Sequence, residues 1–393
     1  MTASGPTIAV LSHAGRLSPR VAEELRTLTD EGGDVTVYFW QRGDRARGAT
    51  DPDWAEQRLG TLAPVGRLAA AAFLPWLYLR LLAALWHRDA DVVHLTHLSL
   101  LPLAPPLRYV LGAAVVYDCY EFHALDVALR APSPLQDGVE RVVAGLEDSL
   151  VRTVDCVLTV DSVEDQLAAR FRQTCDDVAV LYNVPNLSCG DPAVAEMAGG
   201  DGCPHRLVYV GGISAEKGAI KAVEALGRLR DRGVPATLEF VGTVQDGTPL
   251  EAEVKRRGLG DVVSHIEWLP YGEMLVEIAD ADVGLALHQP SERFRRVSTG
   301  NGRKFFTYMQ VRLPVLGSTF GDVGAVIRET ECGRLVDTTD ETAIADEIGT
   351  LLGDESLRRS MGARGRQAVE DRYNWDNEKR KLITAYPRVG RNE

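Results

Sequence analysis

An α/β fold made of two successive parallel-sheet domains is what this sequence predicts, and three observations predict it. Short apolar runs of β type alternate with amphipathic helical stretches from residue 7 onward, the pattern of strand–crossover–strand units. That alternation breaks at 183–186 (NVPN), passes through a Gly-, Pro-, Ala- and Ser-rich segment at 187–204, and starts afresh at 206. A length of 393 residues also exceeds one domain of ordinary size. The predicted organisation is a first domain over 1–186, a linker over 187–204 and a second domain from 205, an architecture that favours a ligand in the cleft between domains.

In the first domain, residues 7–12 (TIAVLS) form a strand that runs into His13-Ala14-Gly15. Ser18 is placed to cap the next helix, with Pro19 at its first position. Val21, Leu25 and Leu28 keep helical spacing, and Gly32-Gly33 stops the helix before a second strand over 34–40 (DVTVYFW). Residues 68–86 (LAAAAFLPWLYLRLLAALW) are the most hydrophobic stretch, but Pro75 and Arg80 interrupt it. It barely reaches the roughly 20 residues that a spanning helix needs. A buried or interfacial helix is predicted, and its Trp, Tyr and Arg content suits peripheral contact with a membrane. Strands over 91–96 and 113–117 follow. The second feeds Asp118-Cys119-Tyr120-Glu121-Phe122-His123, just past the carboxyl end of a parallel strand, where such sheets keep their sites. A helix over 136–154, a strand over 156–160, a helix over 163–172 and a strand over 178–181 complete this domain.

In the second domain a strand over 206–210 (RLVYV) leads into the loop 211–218 (GGISAEKG) and a helix over 219–232. Strands over 237–241, 263–268 and 283–287 alternate with helices over 250–257 and 271–279. Residues 293–318 (RFRRVSTGNGRKFFTYMQVRLPVLGS) then read as a polar, glycine-broken loop, a short helix over 304–310, a turn at Pro314 and a buried strand over 315–318. Arg293, Arg295, Arg296, Arg303 and Lys304 surround that loop, with no Asp or Glu between Glu292 and Asp322. A basic loop feeding a helix N-terminus is suited to an anion, because unpaired N–H groups and the helix dipole point at it. The alternative is a solvated basic loop. In a chain of net charge −13 the local basic cluster calls for a small anionic partner. The acidic balance argues against general affinity for nucleic acid or anionic membranes.

Composition is that of a soluble globular protein, 45% hydrophobic and 25% charged. The Ala, Gly and Arg richness fits a bacterial source. The six cysteines show no C-x-x-C pairing, and residues 1–15 carry no signal peptide, so the expectation is reduced cytoplasmic thiols without disulfide or zinc. His13, His94, His97 and His123 fall near ends of first-domain strands, but without ligand spacing; no metal is expected.

The segments 208–218, 239–242, 268–288, 304–318, 331–348 and 361–389 together resemble the retaining, nucleotide-sugar-dependent hexosyltransferases of glycosyltransferase family 4. The resemblance implies a GT-B fold: two Rossmann-like domains facing across a cleft, the second (205–372) holding the donor, with a last helix at 373–393 crossing back to the first. It implies transfer of a sugar from a nucleoside-diphosphate sugar to a small-molecule, glycan or lipid-linked acceptor, with no cofactor. Such an enzyme would be cytoplasmic, at most peripheral at the inner membrane face, in cell-surface glycan or secondary-metabolite synthesis. Oligomeric state does not follow from the sequence.

The resemblance assigns Gly211, Gly212 and Gly242 to loops under the donor, and Lys217, Lys304 and Arg303 to its diphosphate. Gly permits close backbone approach and Lys neutralises phosphate charge that grows as the bond breaks. Gly212 stands where many members have Arg. Ser298, Thr299, Asn301, Thr307 and Tyr308 fall on the donor loop, with Thr299 and Thr307 in place of two glutamates. A hydroxyl cannot replace the charged bidentate acceptor of a carboxylate. Asp118, Tyr120 and Glu121 resemble an Asp-x-His-Glu motif with Tyr120 replacing His; the alternative for Asp118 is a helix cap. His13, Gly15 and His123 are expected on the acceptor side. Two other readings stay open: a non-catalytic GT-B nucleotide-sugar-binding or partner protein, and a pseudo-glycosyl enzyme that couples a cyclitol.

Overall fold

The computed structural model describes residues 5–14, 17–41, 53–60, 72–160, 166–187, 204–296 and 303–386. The chain divides into two compact units, Met1–Tyr182 with Glu378–Glu393, and Asn183–Asn377.

The first unit runs β1 (Thr7–Ser12), α1 (Pro19–Asp30), β2 (Asp34–Gln41), β3 (Ala55–Gly60), α2 (Leu74–Trp86), β4 (Val92–Leu95), a 3-10 turn (Leu98–Leu103) and α3 (Ala104–Tyr109). It continues with β5 (Ala114–Cys119), α4 (His123–Ala128), a second 3-10 turn (Ser133–Leu135), α5 (Gln136–Val151), β6 (Cys156–Thr159), α6 (Gln166–Phe171) and β7 (Val178–Val180). These strands form one seven-stranded sheet of order β3-β2-β1-β4-β5-β6-β7, parallel throughout. Ser18 caps α1 by accepting from the Val21 N–H, Pro19 opens the helix, and Val21, Leu25 and Leu28 are buried, as their spacing predicts. The strand over β3 is an addition to the reading from sequence. AEQRLG has no apolar run, because an edge strand buries little and Arg58 instead lies over Phe39. The hydrophobic stretch forms a helix over Leu74–Trp86, and its residues 68–71 lie outside the described residues.

The second unit runs β8 (His205–Val210), α7 (Ala219–Asp231), β9 (Ala236–Val241), α8 (Leu250–Arg257), β10 (Val263–Ile266), α9 (Tyr271–Ile278), β11 (Val283–Ala286), α10 (Glu292–Arg296) and α11 (Arg303–Gln310). After these come β12 (Val315–Ser318), α12 (Gly321–Thr330), β13 (Gly333–Val336), α13 (Glu341–Gly353) and α14 (Glu355–Asp371), with the last helix α15 (Trp375–Ala385) belonging to the first unit from Glu378 onward. Its six strands are also all parallel, in the order β10-β9-β8-β11-β12-β13. The two-sided burial of a parallel sheet explains why strands such as VYV and VLGS read as continuous apolar runs. Residues 292–296, predicted as loop, are helical and bury Phe294 against His288. Each unit has its own hydrophobic core, one around Leu95, Val115 and Phe171, the other around Leu207, Phe240 and Leu285.

In both sheets the chain winds outward one way and then the other, so a crevice opens at the carboxyl ends where the direction reverses. That point lies between β1 and β4 in the first unit and between β8 and β11 in the second.

Candidate active site

In the second unit, β8 and β11 pair only through Val283 with Leu207 and Gly284 with Val208, then part. The Tyr308 hydroxyl spans the gap. It accepts from the Val210 N–H (2.8 Å), and its proton is within reach of the carbonyls of Leu285 (3.2 Å) and Val208 (3.4 Å). Gly284 makes room for that ring, since a Cβ there would stand 2.5 Å from Tyr308 Cγ. Tyr308 thereby fixes α11 at the crevice, with Lys304 one turn earlier on the same face.

Lys304 is 6% exposed, and its Nζ has no hydrogen-bond partner among the described residues. The ammonium rests 3.8 Å from the Tyr209 ring centroid. Burial, and secondarily Lys217, hold its pKa well below the ordinary lysine value. His288, just past β11, is buried with Nε2 unpartnered; burial, then Lys304 and Lys217, hold it neutral. Arg303 lies over the Tyr271 ring, with Nε and Nη1 lacking an acceptor among the described residues. Around these cations lie the loops after β8 and β9. Gly242, at φ 144°, lets them meet, because any Cβ there would strike the Gly211 carbonyl. The helix α7 starts on Gly218 with no side-chain cap on its first turn. A Cβ on Gly212 would stand 2.9 Å from Gln245 Nε2 and 3.4 Å from Lys217 Nζ, so Gln245 fills the space beside the loop.

Two expectations for the donor loop change. Thr307 is 1% exposed and its hydroxyl donates to the Arg303 carbonyl (2.9 Å), a bond within its own helix that leaves no donor for a ribose. Tyr308 is a fully buried structural bolt rather than a donor contact. Ser298, Thr299, Asn301 and Gly15 lie outside the described residues.

In the first unit, His13 follows β1, His97 follows β4 and His123 opens α4 after β5. Their rings form a row: His13 and His97 stack at 3.7 Å, and His97 meets His123 edge-on at 4.4 Å. The Ser99 N–H donates to His97 Nδ1, which leaves Nε2 to carry the proton of the neutral ring. His123 is held neutral by burial above all. Tyr120 and Glu121 are half-buried beside this row, and burial, then the Asp118 charge, push the Tyr120 phenol up.

Asp118 is placed differently from the expectation of an active-site contact. It is fully buried and accepts from Arg20 Nη2 at 2.8 Å, while Arg20 Nε donates to Glu24 at 2.7 Å. Nor does it cap α4, whose N-cap residue Phe122 has no side-chain cap bond. His94 Nε2 lies 3.9 Å from both carboxylates, and Glu24, His94 and Asp118 bring ligand-type atoms within 4.8 Å of one another. Arg20 already supplies the cation to both carboxylates, so a metal there would compete with a built-in positive charge. Burial, followed by the Asp118 charge, raises the Glu24 pKa to about 7. Neither the Arg20–Asp118 pair nor the His97 contacts with His13 and His123 could be read from the chain order, since both join segments far apart in sequence.

Residues 201–368 match the family described as "Glycosyl transferases group 1". The chain is 32% identical over 81 residues to N-acetyl-alpha-D-glucosaminyl L-malate synthase of Bacillus anthracis, covering 21% of this chain and 20% of that protein. It is 25% identical over 294 residues to a GDP-mannose-dependent alpha-(1-6)-phosphatidylinositol monomannoside mannosyltransferase of Mycolicibacterium smegmatis, covering 70% and 77% of the two. The chain spans 20% to 55% of the length of the first curated relatives it matches. Among solved structures, sucrose-phosphate synthase of Thermosynechococcus elongatus superimposes with a TM-score of 0.77 at 19% identity over 97% of this chain and 98% of that one. The fold of the chain is GT-B.

Proposed function

We propose that the chain is a glycosyltransferase that takes a hexose-type sugar from a nucleoside-diphosphate sugar and passes it to an acceptor with retention of anomeric configuration. The observation that carries this reading is Lys304: a buried amine with no hydrogen-bond partner among the described residues, neighboured by Lys217 and neutral His288, at the crevice of the second sheet. An unpaired buried cation is costly to fold around, and a bound diphosphate supplies the missing anion. The match over residues 201–368 and the GDP-mannose dependence of the mannosyltransferase relative support the same reading.

In this reading Lys304, Lys217 and Arg303 stabilise the diphosphate as the anomeric C–O bond breaks, with the backbone at Gly211, Gly212 and Gly242 permitting close approach. The acceptor hydroxyl attacks the same face of the sugar, and its proton passes to the departing phosphate oxygen. We assign acceptor recognition to Tyr120, Glu121, His13, His97 and His123, with Asp118 and Arg20 positioning the Tyr120 loop from beneath. The charge on three cationic side chains makes the reaction independent of divalent metal and of any cofactor.

A nucleoside-diphosphate-binding protein without transfer is the second reading, favoured by Thr307, which offers the donor no carboxylate. Thermal-shift titration across nucleoside diphosphates tests the shared premise. Stabilisation is expected for the wild type and is expected to disappear in Lys304→Met, which should fold well because it removes a buried unpaired charge. Retained stabilisation in that variant overturns the assignment. Hydrolysis or transfer of a bound nucleotide sugar, undiminished by excess chelator, then separates the enzyme from the binding protein.

A further inference from the structure

The first unit encloses a polar cluster whose Glu24 and His94 have no part in the proposed reaction. Arg20 and Glu24 come from α1, His94 from β4 and Asp118 from β5, and all four are buried. The far end of the chain lies against them. Leu382 and Tyr386 are buried, and the Tyr386 hydroxyl stands 3.5 Å from His94 Nδ1. Arg20 donates from Nε to Glu24 Oε1 and from Nη2 to Asp118 Oδ1. Four buried polar atoms are then left with no partner among the described residues: Arg20 Nη1, Glu24 Oε2, His94 Nε2 and Asp118 Oδ2. His94 Nε2 is 3.9 Å from Glu24 Oε2 and 3.9 Å from Asp118 Oδ2, too far for a hydrogen bond to either.

Charge counting leaves this arrangement one proton short. Two buried carboxylates face one guanidinium, and an uncompensated charge in such a place is costly. The proton fits at Glu24 Oε2, because burial, followed by the Asp118 charge, raises that carboxyl to about 7. Among the described residues the other titratable groups facing the cluster do not supply it. Glu378 on α15 adds negative charge toward Arg20 while pairing with Lys381, and burial above all keeps Tyr386, Tyr120 and the Cys156 thiol of β6 un-ionised. Loss of the proton sets a second anion beside Asp118, and that anion needs water. β4 and β5 are paired on both sides in the middle of the sheet, so the covering that yields most readily is the chain end. We propose that Glu24, His94 and Asp118 together hold one proton that latches residues 378–386 onto the first sheet, and that its release to water frees this segment.

The sign follows from the raised carboxyl. Its contribution is fully present below the ordinary carboxyl range and is lost as pH rises through about 7. Hydrogen exchange of the full chain without ligand, corrected for the intrinsic pH dependence of amide exchange, reads the latch directly and independently of any sugar transfer. Protection of residues 379–386 is expected to fall about tenfold between about pH 6 and pH 8, while protection of β12 in the second unit stays constant. Glu24→Gln, neutral at both values, should abolish that fall. Leu382→Ala loosens the same packing without touching a titrating group, so it should lower protection at both values and keep the tenfold ratio. The proposal is overturned if residues 379–386 of the wild type follow pH no more than β12 does, a comparison that needs no variant. It is equally overturned if Glu24→Gln keeps the tenfold fall. Zinc that restores protection at pH 8, reversed by chelator, would make the cluster a cation site and overturn it as well.

Discussion

Lys304 sits in a conflict between folding and binding, and the conflict has a measurable sign. Its pKa is depressed in the free protein, and a bound diphosphate favours the charged form, so binding should draw in a proton. Affinity for a nucleoside diphosphate is therefore expected to fall as pH rises above the depressed pKa, by up to about tenfold per pH unit, until the ordinary lysine value near 10.4. Titration calorimetry in buffers of different ionisation enthalpy reads the same event as uptake of about one proton. Binding without uptake would mean that Lys304 is already charged when empty. Among the described residues the groups facing it are Lys217, His288 and the Tyr209 ring, none of them a carboxylate. Lys304, Lys217 and the glycines were legible in the sequence because cations and glycines after parallel strands carry one meaning. Thr307, Tyr308 and Asp118 were not. Their roles depend on burial and on partners such as Arg303, Val210 and Arg20, which adjacency in the chain does not disclose.

At the scale of elements, α11 is aimed by Tyr308 across two parting strands. Tyr308→Phe leaves the Val210 N–H and the Leu285 carbonyl without their bridge, which should cost about 1–3 kcal/mol, several degrees in Tm. It should also weaken nucleoside diphosphate binding several-fold through Lys304, without touching the ligand. Normal affinity alongside lowered Tm would make the hydroxyl a stability device alone, as thermal and binding titrations on one sample would reveal. Most elements were readable because both sheets are parallel and buried, so β1, β9 and β12 announce themselves as apolar runs between helical periods. The failures have physical causes. The edge strand β3 packs on one neighbour only, and the turn over Leu98–Leu103 with α3 contains Pro102, Pro105 and Pro106, which break any helical period in the sequence. The short α10 gains its support from Phe294 stacked on His288, a contact with residues before it in another turn of the chain.

At the scale of the molecule, the first unit is assembled from both ends of the chain. Glu378 accepts from the Tyr182 N–H at 3.0 Å, Leu382 and Tyr386 are buried, and the Tyr386 ring lies 6.0 Å from His94. A chain ended after Asn377 exposes what these side chains cover, about 1.5–3 kcal/mol for each of Leu382 and Tyr386. The expected result is loss of hydrogen-exchange protection in β4 and β5 while the second unit still gains stability from a nucleoside diphosphate. Full protection of those strands in the shortened chain would refute the tie. The same discontinuity sets an order of events during synthesis. Domains are usually completed in the order in which the ribosome emits them, at about 5–20 residues per second. Here the unit begun first cannot close until the second has been emitted, a wait on the order of ten seconds or more. Through that interval the nascent first sheet stands with the ground beneath His94 uncovered, and the chain must be kept from premature association until its final residues arrive.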